Sequence, residues 1–356
     1  MALGGDVMLG RGVDQILPRP GDPALREAYV RDARTYVRLA EAAHGPIPRP
    51  VGFRRPWGEA LRVLEEAAPD ARIVNLETAI TRGGTFAPGK AVHYRMSPGN
   101  LPCLAAGRPD VCVLANNHVM DFGVQGLVET LAALEGAGLA WAGAGRDERE
   151  ARRPAAVPAG SGRVLVFAFG MASSGIPAGW AAGPGRPGVA FVPEPSQDWA
   201  RAITERVRRD KRAGDVVVAS VHWGSNWGHH VPGEHVRFAH ALVDGGVDVV
   251  HGHSSHHPRP IEVYRGRLVL YGCGDLIDDY EGITGYEEYR DDLRPLYLAS
   301  LTPGTGALAE LRIAVLRARR MRLERAAPAD AGWLADTLRR VGTPVVAEGG
   351  TLVLRP

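Results

Sequence analysis

Short apolar runs punctuate this chain at regular intervals: "ARIVNLET" (71–78), "PDVCVLANNH" (109–118), "GRVLVFAFG" (162–170), "GDVVVASVHWG" (214–224), "VDVVHGH" (247–253) and "GRLVLYGCGD" (266–275). Each reads as a strand. Between them apolar positions recur at helical spacing over 24–43, 124–137, 195–212 and 233–245, with Gly or Pro at most ends. Strands alternating with amphipathic helices predict α/β layering. The stretch "MASSGIPAGWAAGPGRPGVA" (171–190) carries neither period and predicts a long loop, of the kind that often covers a functional site. After about residue 293 the text changes to "LYLASL" and "ALAELRIAVLRARRMRLERA", which predict an antiparallel β extension closed by a helix near 328–341. With no repeat and no linker in view, residues 1–300 are expected to form one domain and 301–356 an extension packed on it.

Composition narrows the setting. The chain has 356 residues, 45% of them apolar, enough for a large core and too apolar for a disordered chain. Its 42 Lys and Arg against 40 Asp and Glu leave a net charge of +2, and the Arg residues are scattered rather than striped, so nucleic acid is not an expected partner. The three cysteines are an odd number, two of them in apolar surroundings, which fits reduced thiols and a cytoplasmic location. The first residues carry no signal-peptide pattern, and no window reaches the length of a membrane span.

The polar residues that end the strands are the chemistry. Asp6 closes the first apolar run, Asn75 and Glu77 the next, Asn116, Asn117 and His118 the third, His222 the fifth, and His251 and His253 the sixth, which continues into "GHSSHH". Singly, each is an ordinary capping or hydrogen-bonding residue. In open α/β sheets, however, the carboxyl ends of strands share one crevice, and carboxylate, carboxamide and imidazole together suit a divalent transition metal such as Mn, Zn, Fe or Co.

In this order "GDVMLGRGVD", "NLET", "ANNHVMDFG", "VHWG" and "GHSSHHPRPIEVYRGRLVLYGCGD" resemble the CapA family of poly-γ-glutamate capsule synthesis proteins, itself similar to the calcineurin-like metallophosphoesterases, over roughly residues 3–300. The resemblance implies a four-layer αββα sandwich with a metal centre at the strand ends. It implies that Asp6 binds a first ion, that Glu77 bridges, and that Asn117, His222 and His253 bind a second. His256 or His257 would complete the first site, because "GHSSHH" is one residue longer than the phosphoesterase "GHxH". Two departures stand out: Met8 replaces the His of the phosphoesterase D-x-H, and "NLET" replaces the "GDxxD" bridge. Both imply a weaker first site and one or two ions.

By the same resemblance His118 is a proton-transfer group, which Asp121 would orient. Arg11 and Asp14, in one loop after the Asp6 strand, are further candidates, Arg11 as a carboxylate clamp. Trp223, Trp227, His229 and His230 can shape a substrate site. The acid run from Asp275 through Asp278, Asp279 and Glu281 reads as a solvated face, with Asp275 the exception at a strand end. The expected partner is a peptide or small-molecule substrate, with no membrane, and the sequence fixes no oligomeric state. The cytosolic branch of the family is similar to lasso-peptide epimerases, so Cα epimerisation of a ribosomally made peptide ranks first. Such an enzyme needs a second acid/base group, for which Asp14, Asp275 and His230 are candidates. Hydrolysis of a phosphoester or of a γ-glutamyl or peptide amide is the alternative, and binding without turnover a third.

Overall fold

A computed structural model describes residues 1–160 and 162–356. Two large sheets lie face to face. The first runs Val346–Glu348, Thr351–Leu354, Leu308–Ala318, Leu293–Leu301, Ala2–Val7, Arg72–Leu76, Val111–Val113, Ala140–Ala142, and Asp275–Ile277 also pairs with its Ala2–Val7 strand. The second runs Phe191–Val192, Gly162–Met171, Val216–His222, Val249–His253, Arg267–Leu270, Ile261–Tyr264, with Ala155–Ala159 beside Gly162–Met171.

Successive side chains on a strand point to opposite faces, and here both faces are covered. Leu3, Ile73 and Val113 of the first sheet meet Val166, Val218 and Val249 of the second in one inner core. Their neighbours Ala2, Val74 and Cys112 face outward into the layer of helices Arg34–His44, Glu59–Ala67 and Gly123–Gly136. On the far side Phe167, Val217 and Val250 pack under helices Gln197–Asp210 and Gly233–Asp244. The result is the four-layer αββα sandwich expected from the sequence, and double-sided burial is why its strands read as continuous apolar runs.

Three elements differ from the sequence reading. The helix expected over 24–43 starts only at Arg34; the earlier part folds back through an Ala24–Asp32 bridge instead, which carries Glu27 to Arg11 and Tyr36. The run 266–275 is two strands, Arg267–Leu270 in the second sheet and Asp275–Ile277 in the first, joined by a Gly-Cys-Gly crossing. Gly274 takes φ +73° there, and a Cβ on Gly5 would overlap the Gly274 carbonyl, so the crossing lies flush against the first strand. The third difference is a set of elements that the sequence pattern does not predict, among them helix Glu59–Ala67 and the terminal hairpin Val346–Glu348/Thr351–Leu354.

The stretch 171–190 holds two single-turn helices, Ala172–Ser174 and Ala178–Trp180, and a short bridge of Gly188–Val189 to Ala144–Gly145. Helix Pro328–Arg340 lays Leu334 and Leu338 on the inner core beside Leu311 and Leu352. Among the described residues no helix is long and apolar enough to cross a membrane.

Candidate metal centre

Strand register assembles the site. His222 lies opposite His253 on neighbouring parallel strands of the second sheet, while Asp6 lies between Asn75 and Asp275 in the first. All but Asp275, which opens its short strand, sit at or next to the carboxyl ends of their strands, where the sheets open. The two imidazoles face each other with Nδ1 atoms 2.7 Å apart. Ligand-type atoms of Asp6, His222 and His253 fall within 4.8 Å of one another, and so do those of Asp6, His256 and Asp275. Asp6 is common to both groups.

The electrostatics of this cluster are unfavourable for the chain alone. Burial pushes the Asp6 carboxyl well above its ordinary range, and Glu77 and Asp275 add to the shift. Burial, with Asp275 next, also raises Glu77 to about 8. His222 and His253 are driven well below the usual imidazole value by burial, so they are neutral and offer lone pairs. Burial opposes charge on His256 and Asp275 too, but their contact at 2.9 Å outweighs it, raising the first and lowering the second. Asp6 Oδ2 and Asp275 Oδ2 are buried without a hydrogen-bond partner. Crowded carboxylates, orphaned oxygens and neutral imidazoles aimed at one point are what a divalent cation would satisfy, and the donor set fits a transition metal.

Around this cluster carboxamides hold the carboxylates. Asn116 Nδ2 donates to Asn75 Oδ1 (2.9 Å), and Asn75 Nδ2 donates to Asp6 Oδ1 (2.8 Å) and Glu77 Oε2 (2.7 Å). Glu77 Oε1 is left between His222 Nε2 at 3.8 Å and His118 Nε2 at 3.9 Å. Asn117 Oδ1 lies 3.1 Å from His222 Nε2. His251, although at the same strand end, ties the sheets together: one ring nitrogen meets the Gly4 carbonyl at 3.0 Å and the other the Ser220 hydroxyl at 3.0 Å.

His118 stands beside these groups with its Nδ1 2.6 Å from Asp121 Oδ2. That contact fixes the tautomer and leaves Nε2 facing the carboxylates. Burial lowers the imidazole to about 4 although Asp121 opposes the shift, so the ring is neutral near pH 7. Lys90 donates to Asp121 Oδ1 and to the Asn117 carbonyl, and lies 5.1 Å from the Trp180 ring, which brings the 171–190 stretch to the mouth of the site.

The remaining sequence candidates lie elsewhere. His257 keeps Nδ1 3.0 Å from the Pro258 carbonyl and stacks on Tyr289 at 4.6 Å, so of the "GHSSHH" pair it is His256 that enters a donor group. Arg11 is spent on Asp279 and Glu27 under the Tyr36 and Tyr94 rings. Asp14 accepts from the backbone N–H groups of Gly21 (2.7 Å) and Ser97 (3.0 Å) and from Asn100 (2.7 Å). The acid run is not a solvated face. Asp275, Asp278 and Asp279 are buried, the last two paired with Arg294 and Arg11. Trp223 is core, stacked on His235 at 4.8 Å, whereas Trp227 sits 5.4 Å from His256. Lys90, Tyr94, whose ring meets His118 at 4.7 Å, and Arg294, 4.0 Å from Asp275, had no sequence signal, because each reaches the site from a loop or strand without a motif.

The sequence profile of the family described as Bacterial capsule synthesis protein PGA_cap matches residues 1–280. The chain is 57% identical over 341 residues to the probable polyglutamine synthesis accessory protein of Mycobacterium tuberculosis, covering 95% of this chain and 90% of that one. It is 26% identical over 276 residues to the PGA biosynthesis protein CapA of Bacillus subtilis, covering 77% and 62% respectively. Among solved structures, a 5'-nucleotidase precursor from Thermus thermophilus superposes with a TM-score of 0.47 at 17% identity, over 83% of this chain and 55% of that one.

Proposed function

The chain belongs to the bacterial capsule synthesis protein family, and from that premise we propose that it is a metal-dependent enzyme that cleaves amide bonds in a polyglutamate-type chain. The observation that carries this reading is the His118–Asp121 pair set beside two donor groups that share Asp6. The names of its relatives, polyglutamine synthesis accessory protein and PGA biosynthesis protein, supply the substrate class.

Asp6, His222 and His253 would hold one ion, and Asp6, His256 and Asp275 the same ion or a second. Such an ion, when bound, supplies Lewis-acid polarisation and lowers the pKa of water. The chain's own groups do the rest. Asp121 holds His118 with Nε2 turned to the centre, so the neutral ring takes a proton from the attacking water and returns it to the departing amine nitrogen. Burial opposes charge on Asp121, but His118 and Lys90 together hold its carboxyl below the ordinary range for that role. Glu77, held by Asn75, lies between His222 and His118; with a cation bound it would ionise and steady the imidazolium as it forms. Phosphoester hydrolysis ranks behind, because Met8, a buried thioether, stands where the phosphoesterases place an imidazole.

Cα epimerisation, the kind of reaction that resemblance to lasso-peptide epimerases suggests, is the second reading. What favours it is the Tyr280 hydroxyl, 3.5 Å from His256 Nε2 and on a different segment from His118. Against it, Asp14 and Asp275 are already engaged by other groups, which leaves cleavage the better-equipped reaction. We assign the protein to the cytoplasm on its three free, buried thiols.

Incubating the metal-loaded protein with poly-γ-glutamate in D₂O separates the two. Cleavage yields shorter chains without deuterium at Cα; epimerisation yields full-length chains that carry it. Full-length, unlabelled product with every metal tried would remove both readings.

A further inference from the structure

A strip of aromatic rings leads away from the centre. The buried Arg259 guanidinium donates to the Ser225 carbonyl (2.7 Å) and hydroxyl (2.8 Å), and the His256 N–H donates to the Asn226 carbonyl (3.0 Å). The turn that carries Trp227 is thus tied to the loop that carries His256. The indole stacks on Tyr286 at 3.9 Å with 6° between planes and meets Tyr289 at 5.3 Å. Tyr286 is 38% exposed, one of few large hydrophobic side chains left so open among the described residues.

Tyr289 also walls a cleft of about 440 Å³ with His229, Glu288, Thr337, Arg340 and Val341. Arg340 is exposed, and its hydrogen bond is to the Thr337 hydroxyl at 2.8 Å; none of the described carboxylates forms an ion pair with it. A guanidinium without a carboxylate partner, at the end of an aromatic strip that starts at a metal-ligand candidate, is an arrangement for a ligand that alternates flat or apolar groups with carboxylates.

We propose that Trp227, Tyr286, Tyr289 and Arg340 form a subsite for an acidic polyamide chain, holding residues that flank the bond presented to the centre. The proposal rests on the amide-cleavage reading and extends it. A γ-linked glutamyl unit offers an amide plane and two methylenes to the exposed Tyr286 ring, which Trp227 backs, and a free carboxylate to a bidentate guanidinium. Glu288 lies in the same cleft, so it repels a carboxylate that overshoots Arg340 and helps to set its place.

The test compares steady-state kinetics of the metal-loaded full chain on a γ-glutamylglutamate dipeptide and on long poly-γ-glutamate, for wild type, Tyr286→Ala and Arg340→Glu. Both positions are exposed, so neither substitution threatens folding. Each variant is expected to raise KM for the long chain about tenfold more than for the dipeptide, the loss of one aromatic or ionic contact, with kcat for the long chain changing far less. A wild type that cleaves long chains while both variants keep its KM ratio would overturn the subsite and leave the cleavage reading standing. A wild type that cleaves neither substrate would overturn both. Side-chain-amidated poly-γ-glutamate provides a second check: an Arg340→Glu effect as large on it as on the acid would overturn the carboxylate role.

Discussion

Replacing Asp6 with Asn probes the two halves of the account at once. Asp6 belongs to both donor groups and is crowded by Glu77 and Asp275. Two carboxylates about 4 Å apart at an effective dielectric near 20 repel by about 4 kcal/mol, and burial first, then this repulsion, raises the Asp6 pKa, so the metal-free protein favours its neutral form. Asp6→Asn therefore removes a proton rather than a charge. The hydrogen bond from Asn75 Nδ2 can be remade to the new carbonyl, so metal-free stability should move by no more than about 1 kcal/mol. With metal the outcome reverses. Altering groups that merely support ligands already costs about 10–100-fold in affinity, so loss of the shared ligand should cost at least about 100-fold. At a metal concentration about a hundred times the wild-type Kd, ligand linkage adds about 2.7 kcal/mol to wild type and almost nothing to the variant. Urea unfolding with and without metal reads both quantities. An undiminished metal increment in Asp6→Asn would refute the shared-ligand geometry, and a metal-free loss above about 3 kcal/mol would refute the electrostatic argument.

Three further outcomes follow from the same geometry. His118→Ala should lower kcat by about 10²–10⁴-fold while elemental analysis finds the wild-type metal content, since His118 faces the centre without belonging to either donor group. His256→Ala should lose metal and His257→Ala should keep it, because His257 stacks on Tyr289 and hydrogen-bonds Pro258 instead; equal losses in the two would reverse that assignment. Gly5→Ala should destabilise the fold by about 1–3 kcal/mol or more, read as a lowered denaturation midpoint, since the new methyl meets the Gly274 carbonyl and the backbone there has to shift.

The layers and much of the candidate centre's geometry could be read from the sequence for a physical reason. Strands buried on both faces become unbroken apolar runs, and a polar residue that ends such a run, as Asp6, His222 and His253 do, stands out against it. Asp275 was harder to place. Its run looks like one strand, and only the Gly-Cys-Gly crossing, which depends on the close approach of Gly5, carries it into the first sheet beside Asp6. Lys90 could not be found, since a lysine in a loop has no periodicity and its partners Asp121 and Asn117 are distant in sequence. Arg11 was misleading for the opposite reason. It lies close to Asp6 in the chain, yet its guanidinium serves Asp279, in an acid run that composition alone assigns to solvent.

The claim on which the rest depends is that the ends of Ala2–Val7, Val216–His222 and Val249–His253 converge on a metal ion. Crystals grown with Mn²⁺ or Zn²⁺ and measured across the metal's absorption edge test it directly. The account predicts an anomalous peak about 2.0–2.2 Å from the Asp6 carboxylate and from ring nitrogens of His222 and His253, with any second peak shared by Asp6, His256 and Asp275. Stoichiometric metal whose anomalous peak lies away from Asp6 would contradict it.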